Sequence, residues 1–175
     1  MTLLAPYRED ELADIALLVN SAYRGELAQK GWTSESYLLG GQRTDEASLR
    51  ADLAASPGST ILTLRDEDGA KPHASVWIEP AGDNAWYVGM VTVSPLRQAA
   101  GIGRTMLEAA EAHARAQGGT SMKMTVISVR DTLIAWYERR GYALTGETQP
   151  FPYGDERFGV PQRDDLHFVV MAKAL

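Results

Sequence analysis

Beyond residue 60 the chain changes hydrophobic period four times in quick succession, and this leaves few folds open to it. Residues 60–65 form a short β-branched run closed by the turn signal Asp66-Glu67-Asp68-Gly69. A second run over 73–79 is closed by Pro80-Ala81-Gly82-Asp83-Asn84, and a third covers 86–93. Strand-length runs joined by such turns pair as an antiparallel meander. A helical pattern over 103–117 follows at once and stops at Gly118-Gly119; then come a strand over 122–127 and a helix over 129–140. The meander therefore leads into a βαβ unit, which requires a mixed α/β sheet.

The flanks add to this. Residues 9–23 read as an amphipathic helix with Leu12, Ile15, Ala16, Val19 and Ala22 on one face, and with Glu9, Asp10 and Glu11 at the positive end of its dipole. Residues 24–43 are polar and glycine-rich, a loop or a broken helix. A second helix is expected over 45–55, with Thr44 as cap, Leu49 and Leu53 facing inward and Pro57-Gly58 as the stop. Ser128-x-x-Asp131 reads as a capping box for the helix over 129–140, and Arg139-Arg140-Gly141 gives it a basic last turn and a glycine stop. Strands over 142–148 and 166–172 complete the chain. Neither repeats nor linkers divide it, so one domain over 1–175 is expected.

Composition narrows the function. The 175 residues include no cysteine, which excludes disulfides, a thiolate nucleophile and cysteine-held metal; no metal site is expected. The formal charge is −6 and the basic residues are scattered, so nucleic acid is a poor partner. The uncharged stretch over 85–96 is too short to cross a bilayer, and the N-terminus lacks the basic region of a signal peptide. A cytoplasmic protein without a membrane partner is the expectation.

The segment from Val91 to Thr105 runs from strand through a glycine turn into a helix. Gly101 and Gly103 let a backbone approach a ligand closely, and the first amides of the helix form an anion site. The Lys-Ser/Thr pair of a P-loop is missing, and Met106 stands where a dinucleotide fingerprint needs a small residue. What the segment resembles is another family. Gln98-Ala99-Ala100-Gly101-Ile102-Gly103, with Val93-Ser94-Pro95 ahead of it, is similar to the Gln/Arg-x-x-Gly-x-Gly/Ala motif of the GNAT superfamily of acetyl-CoA-dependent N-acetyltransferases. The stretch from Leu133 through Trp136, Tyr137 and Gly141 to Tyr142 resembles its second signature. The element order resembles that fold over nearly the whole chain, which implies a central, mostly antiparallel sheet of six to seven strands flanked by about four helices. A homodimer is a family-level expectation.

The resemblance implies that the turn amides, among them those of Ala99, Ala100, Gly101, Gly103 and Arg104, hold the coenzyme A pyrophosphate, with Gln98 and Thr105 in the same site. Backbone groups of Val91 and Val93 would pair with the pantetheine arm, and the Val91 amide would donate to the thioester oxygen. Tyr137 would bind beside the sulfur and protonate the departing thiolate. By itself a tyrosine beside Trp136 on an amphipathic helix is usually a core residue, its hydroxyl satisfied at the edge. Arg130 stands where many members carry asparagine, and Leu133 where alanine is common.

The acceptor amine and its base are less legible. Freeing the lone pair of a lysine-like amine near neutral pH costs roughly 4 kcal/mol, so some group or water must take its proton. In members with a carboxylate base on the strand before the turn, the matching position here is Tyr87. Glu35 and His73 are the remaining candidates, each with a plain surface role as alternative, and His113 reads as structural. Arg24, Trp32, Glu35 and Arg43 in one loop and Tyr153 in the segment from Phe151 to Phe158 are candidate contacts for a small-molecule or peptide amine. A dimer contact or a solvated cover would explain the same residues. The acidic balance points mildly to a cationic acceptor. A silent acyl-CoA-binding module, a transferase using a different acyl donor and a purely structural protein are the rival readings.

Overall fold

A computed structural model describes residues 2–98 and 100–175, with only the backbone described for Phe158. The meander forms as expected: β3 (Thr60–Arg65), β4 (Ala74–Pro80) and β5 (Ala85–Val93) pair antiparallel in sequence order. Helix α4 (Ile102–Ala116) then crosses to β6 (Ser121–Ile127), which runs parallel to β5. After α5 (Asp131–Glu138), β7 (Ala143–Pro150) and β9 (His167–Ala174) extend the sheet. The strand order is β1-β3-β4-β5-β6-β9-β7, and β5–β6 is its one parallel pair among the described residues.

The strand β1 (Leu3–Pro6) was not expected from the sequence. It pairs with β3 at the sheet edge and is mostly exposed, so it carries no alternation that a pattern could reveal. Next come α1 (Leu12–Tyr23), entered through a 3-10 turn, and α2 (Gly25–Ala28). A two-residue strand, β2 (Leu39–Gly40), pairs with β8 (Val160–Pro161), so the polar loop and the C-terminal segment are stitched to each other. Leu38, Leu39, Phe151 and Leu166 bury a small core of their own against Ile127. The density of large residues in both loops is thus used in packing them together.

Two caps differ from expectation. Helix α3 (Glu46–Ala55) is capped by Asp45, whose carboxylate accepts from the Ser48 amide at 2.7 Å, and not by Thr44. Helix α5 starts three residues after Ser128 with Arg130 at its cap, so the anticipated capping box does not form. The Ser128 hydroxyl instead lies 3.2 Å from His167 Nδ1.

The main core lies between the sheet and helices α4 and α5, with Ile78, Val88, Met106, Leu107, Met122 and Met171 fully buried. A second core, built on Leu12, Ile15, Val19, Leu49 and Trp77, fixes α1 and α3 on the opposite face. These two cores hold the ends of α1, β5 and α5 in fixed relation, and the clefts lie between those ends. Among the described residues no helix is long and apolar enough to cross a membrane.

Candidate active site

The site begins with two departures from regular sheet. The first is a β-bulge. Ser75 pairs with Thr92 but Trp77 pairs with Gly89, so Met90 and Val91 together stand opposite Val76. Met90 takes φ +45°, the left-handed region that a side chain rarely occupies. A bulge bends its strand and re-aims backbone groups, and here it does so at the residue that the glycine-turn motif singles out. The second departure is a parting of strands. The register pairs of β5 and β6 end at Tyr87–Lys123, and beyond them the two strands diverge.

A cleft opens on each side of this gap. One, of about 460 Å³, is bounded by Val91 and Val93 on β5, Gly101, Gly103 and Arg104 at the start of α4, and Thr132, Leu133, Trp136 and Tyr137 on α5. The other, of about 350 Å³, lies between Val88–Val91 and Met124–Ile127 and is walled further by Tyr23, Glu35, Arg43, Arg130 and Phe168. Tyr23, Val91, Leu133 and Tyr137 line both. The two clefts therefore meet at these four residues.

The first cleft suits a long anionic ligand. Gly101 caps α4 in the left-handed conformation (φ +74°) with no side chain over the helix amides, and no acidic residue occupies the first turn. A Cβ on Gly103 would stand 3.4 Å from the Trp136 ring and 3.8 Å from Val93, so any larger side chain would fill the floor of the cleft. Arg104, Arg139 and Arg140 ring the mouth. Arg140 stacks 3.6 Å over Trp136, whose ring also lies 5.8 Å from that of Trp32.

Tyr137 sits at the junction. Its ring is packed edge-on between Trp136 and Tyr142, and its hydroxyl makes no hydrogen bond with the described residues. Burial, then the Tyr23 phenol, raises its pKa well above the ordinary value of 10.0, so it stays protonated. Tyr23, at the end of α1, donates to the Val91 carbonyl at 2.5 Å, and burial and then Glu35 push its phenol up to about 12.

The remaining expected residues divide. Gln98 lines the first cleft, but its side chain is spent as a clasp: Nε2 donates to Thr33 Oγ1 and to the Val93 carbonyl, and Oε1 accepts from the Trp32 amide. Ala99 lies outside the described residues. Ala100 and Thr105 do not line the cleft, and the Thr105 hydroxyl turns back to the Gly101 carbonyl. Trp32, expected at the acceptor, walls the first cleft instead.

Glu35, a candidate base, is locked: one oxygen accepts from Arg24 at 3.1 Å and the other from Arg130 at 3.2 Å, all three side chains being buried. Arg130 also donates to the Thr33 carbonyl. Arg24 thus belongs to this structural triad, which holds the loop over the site. Tyr153 is likewise structural, its hydroxyl bridging the Arg163 carbonyl and the Leu166 amide. His73 does not line the second cleft; its carbonyl accepts from the Ser94 amide, and its ring faces Asp66. His113 packs edge-on against Trp86. Of the expected acceptor contacts only Arg43 and Glu35 line the second cleft.

Residues that the sequence reading missed are Tyr23, Thr33, Thr132, Trp136, Arg139 and Arg140. Those on α5 and in the turn that follows it were findable: 132, 133, 136, 137 and 140 keep one helical spacing through the second motif.

The site thus joins a bulged strand, a bare glycine-capped helix and two parted strands. The acetyltransferase (GNAT) family model matches residues 26–142, and the chain belongs to that family. Among solved structures it is similar to the ribosomal-protein-alanine N-acetyltransferase of Brucella melitensis (18% identity, 99% of each chain, TM-score 0.70). It is also similar to the ribosomal-protein-S18-alanine N-acetyltransferase of Escherichia coli (15% identity, 99% of this chain and 94% of that, TM-score 0.69). A third is yncA of Salmonella typhimurium, solved with its cofactor acetyl-CoA (18% identity, 99% and 94%, TM-score 0.69). No curated protein sequence matches the chain.

Proposed function

We propose that the whole chain forms one acetyltransferase domain that carries the acetyl group of acetyl-CoA directly to a primary amine while both are bound. The observation that carries this reading is the meeting of the two clefts at Tyr23, Val91, Leu133 and Tyr137. One cleft offers helix amides and arginines suited to the pyrophosphate and an apolar wall suited to pantetheine. The other gives an amine access to the same point from the opposite side.

In this reading the bulge directs a backbone amide at Val91 toward the thioester oxygen, where charge develops during attack. The acceptor nitrogen forms the new C–N bond, the C–S bond breaks, and the sulfur receives the proton of Tyr137, which solvent replaces. The proton lost by the acceptor passes to water, since Glu35 is the only carboxylate among the described residues lining the second cleft and both its oxygens are engaged. The Tyr87 hydroxyl, 3.4 Å from Thr125 Oγ1, stands along that exit. Without any cysteine the chain cannot form a thioester of its own, in keeping with direct transfer.

Thiol release from acetyl-CoA across a panel of amines tests the reading. Amine-dependent release is expected. Coenzyme A binding with no release on any amine would reduce the protein to a binding module.

A further inference from the structure

The second cleft carries a charge that the overall composition does not suggest. Its lining among the described residues includes three charged side chains, Glu35, Arg43 and Arg130. Glu35 is shared by Arg130 and Arg24, so the one carboxylate is fully engaged and the triad itself keeps one positive charge. That leaves Arg43, whose guanidinium makes no ion pair or hydrogen bond with the described residues although it is half-buried. Its position is built: Asn20 Oδ1 accepts from the Arg43 and Thr44 amides at 2.7 and 3.1 Å, and Asn20 Nδ2 donates to the Thr44 carbonyl at 2.8 Å. A helix side chain thus pins the backbone so that the guanidinium faces the cleft. Its charge is felt at the junction, since it is among the influences that lower the Tyr23 pKa against burial. Much of the remaining wall is apolar, with Met90, Met124, Val126, Leu133 and Phe168.

Resting on the acetyltransferase reading above, we propose that the acceptor is an amine that also bears a carboxylate and an apolar group, as a free apolar amino acid does, and that Arg43 is the residue that selects the carboxylate. A planar guanidinium without a partner is suited to hold a carboxylate through paired hydrogen bonds, and a cationic acceptor meets like charge there. This reverses the preference for cationic acceptors that the net charge suggested. The neighbouring groove across Arg43 does carry Asp45, Asp52, Glu79 and Glu156. Two of these are engaged, however: Asp45 with Ser48 and Gln42, and Glu79 with Ser56.

The experiment compares L-leucine, L-leucinamide, 3-methylbutylamine and spermidine as acceptors, with wild type and Arg43→Gln. L-leucinamide keeps the amine and the apolar group but not the carboxylate, and it mimics a peptide N-terminus. Its amine titrates near that of a chain terminus, about 8, so it is readily available as a free base. A kcat/KM for leucine at least tenfold above that for leucinamide, with the ratio falling toward one in Arg43→Gln and partly restored in Arg43→Lys, supports the proposal. Equal or better use of leucinamide, 3-methylbutylamine or spermidine overturns it, as does a ratio unmoved by the substitution.

A binding readout separates this from the transferase reading. In the presence of coenzyme A, leucine should raise the melting temperature of wild type more than leucinamide does, and Arg43→Gln should abolish the difference. That result supports Arg43 as the carboxylate holder even if no amine releases thiol, whereas equal shifts overturn it.

Discussion

The Tyr23 hydroxyl donates to the Val91 carbonyl across 2.5 Å, and so ties the end of α1 to the bulge where the two clefts meet. This bond links residues 68 positions apart at the point where the backbone departs from regular pairing. Removing it in Tyr23→Phe should cost about 1 kcal/mol of stability, the usual net value of a hydrogen bond. If the bond also keeps the Val91 amide aimed, kcat should fall by about tenfold, with the KM for acetyl-CoA nearly unchanged. Urea unfolding and steady-state kinetics on the same variant measure the two effects.

Tyr137→Phe should lower kcat by about a hundredfold, the lower range for a positioned general acid, without loss of coenzyme binding. Because burial holds the phenol above its ordinary pKa of 10.0, Tyr137 should impose no alkaline loss of rate below pH 10. A fall in kcat centred well below that pH, absent from the variant, would remove Tyr137 from the role.

Gly103→Leu should abolish tight coenzyme binding while leaving the fold in place. The new side chain would project between Trp136 and Val93 into the cleft floor. Isothermal titration should show a dissociation constant for acetyl-CoA raised by at least about tenfold, which is 1.4 kcal/mol. An unchanged constant would place the coenzyme elsewhere.

Glu35→Ala tests a structural role against a catalytic one. It leaves the Arg24 and Arg130 guanidiniums buried without their shared carboxylate, a loss of about 3–5 kcal/mol. Denaturant unfolding should register this. A variant of full stability but low activity would instead return Glu35 to the chemistry.

Stability should fall as pH is lowered through about 6.5. Burial depresses the pKa of His73, with Arg97 adding to it, and burial depresses that of His113; both start from an ordinary value of 6.5. The unfolded chain then binds protons at pH values where the folded one does not, so the stability these residues contribute is complete above 6.5 and is lost below it. The melting temperature measured from pH 8 to pH 5 should drop, and should drop less in the His73→Gln, His113→Gln double variant. Asp66, held low by its hydrogen bonds with Arg97, acts only below its ordinary 3.8 and so outside this window.

Much of the fold could be read from local pattern. The meander, α4, β6 and α5 announce themselves through period and turn residues, because each buries one face against the sheet. The edge strand β1 and the β2–β8 pair give no such signal: the first is mostly exposed and the second is two residues long on each side. The glycine turn and Tyr137 could be singled out because each belongs to a short motif of fixed spacing, and the structure lines one cleft with both. Tyr23 was not, since its partner lies in another strand.

The sequence by itself determined the family, the order of the larger helices and strands from α3 onward, the bare start of α4 and the tyrosine beside it, all of them properties of contiguous residues. Only the tertiary structure decided which charges remain available. Arg24, Glu35, Arg43 and Arg130 look alike in a polar loop or at a helix start, yet three of them pair with one another in the interior while Arg43 is left facing the second cleft. The reason is that ion pairing depends on distance in space. The pair between Glu35 and Arg130 spans 95 positions of chain, and no local pattern records it.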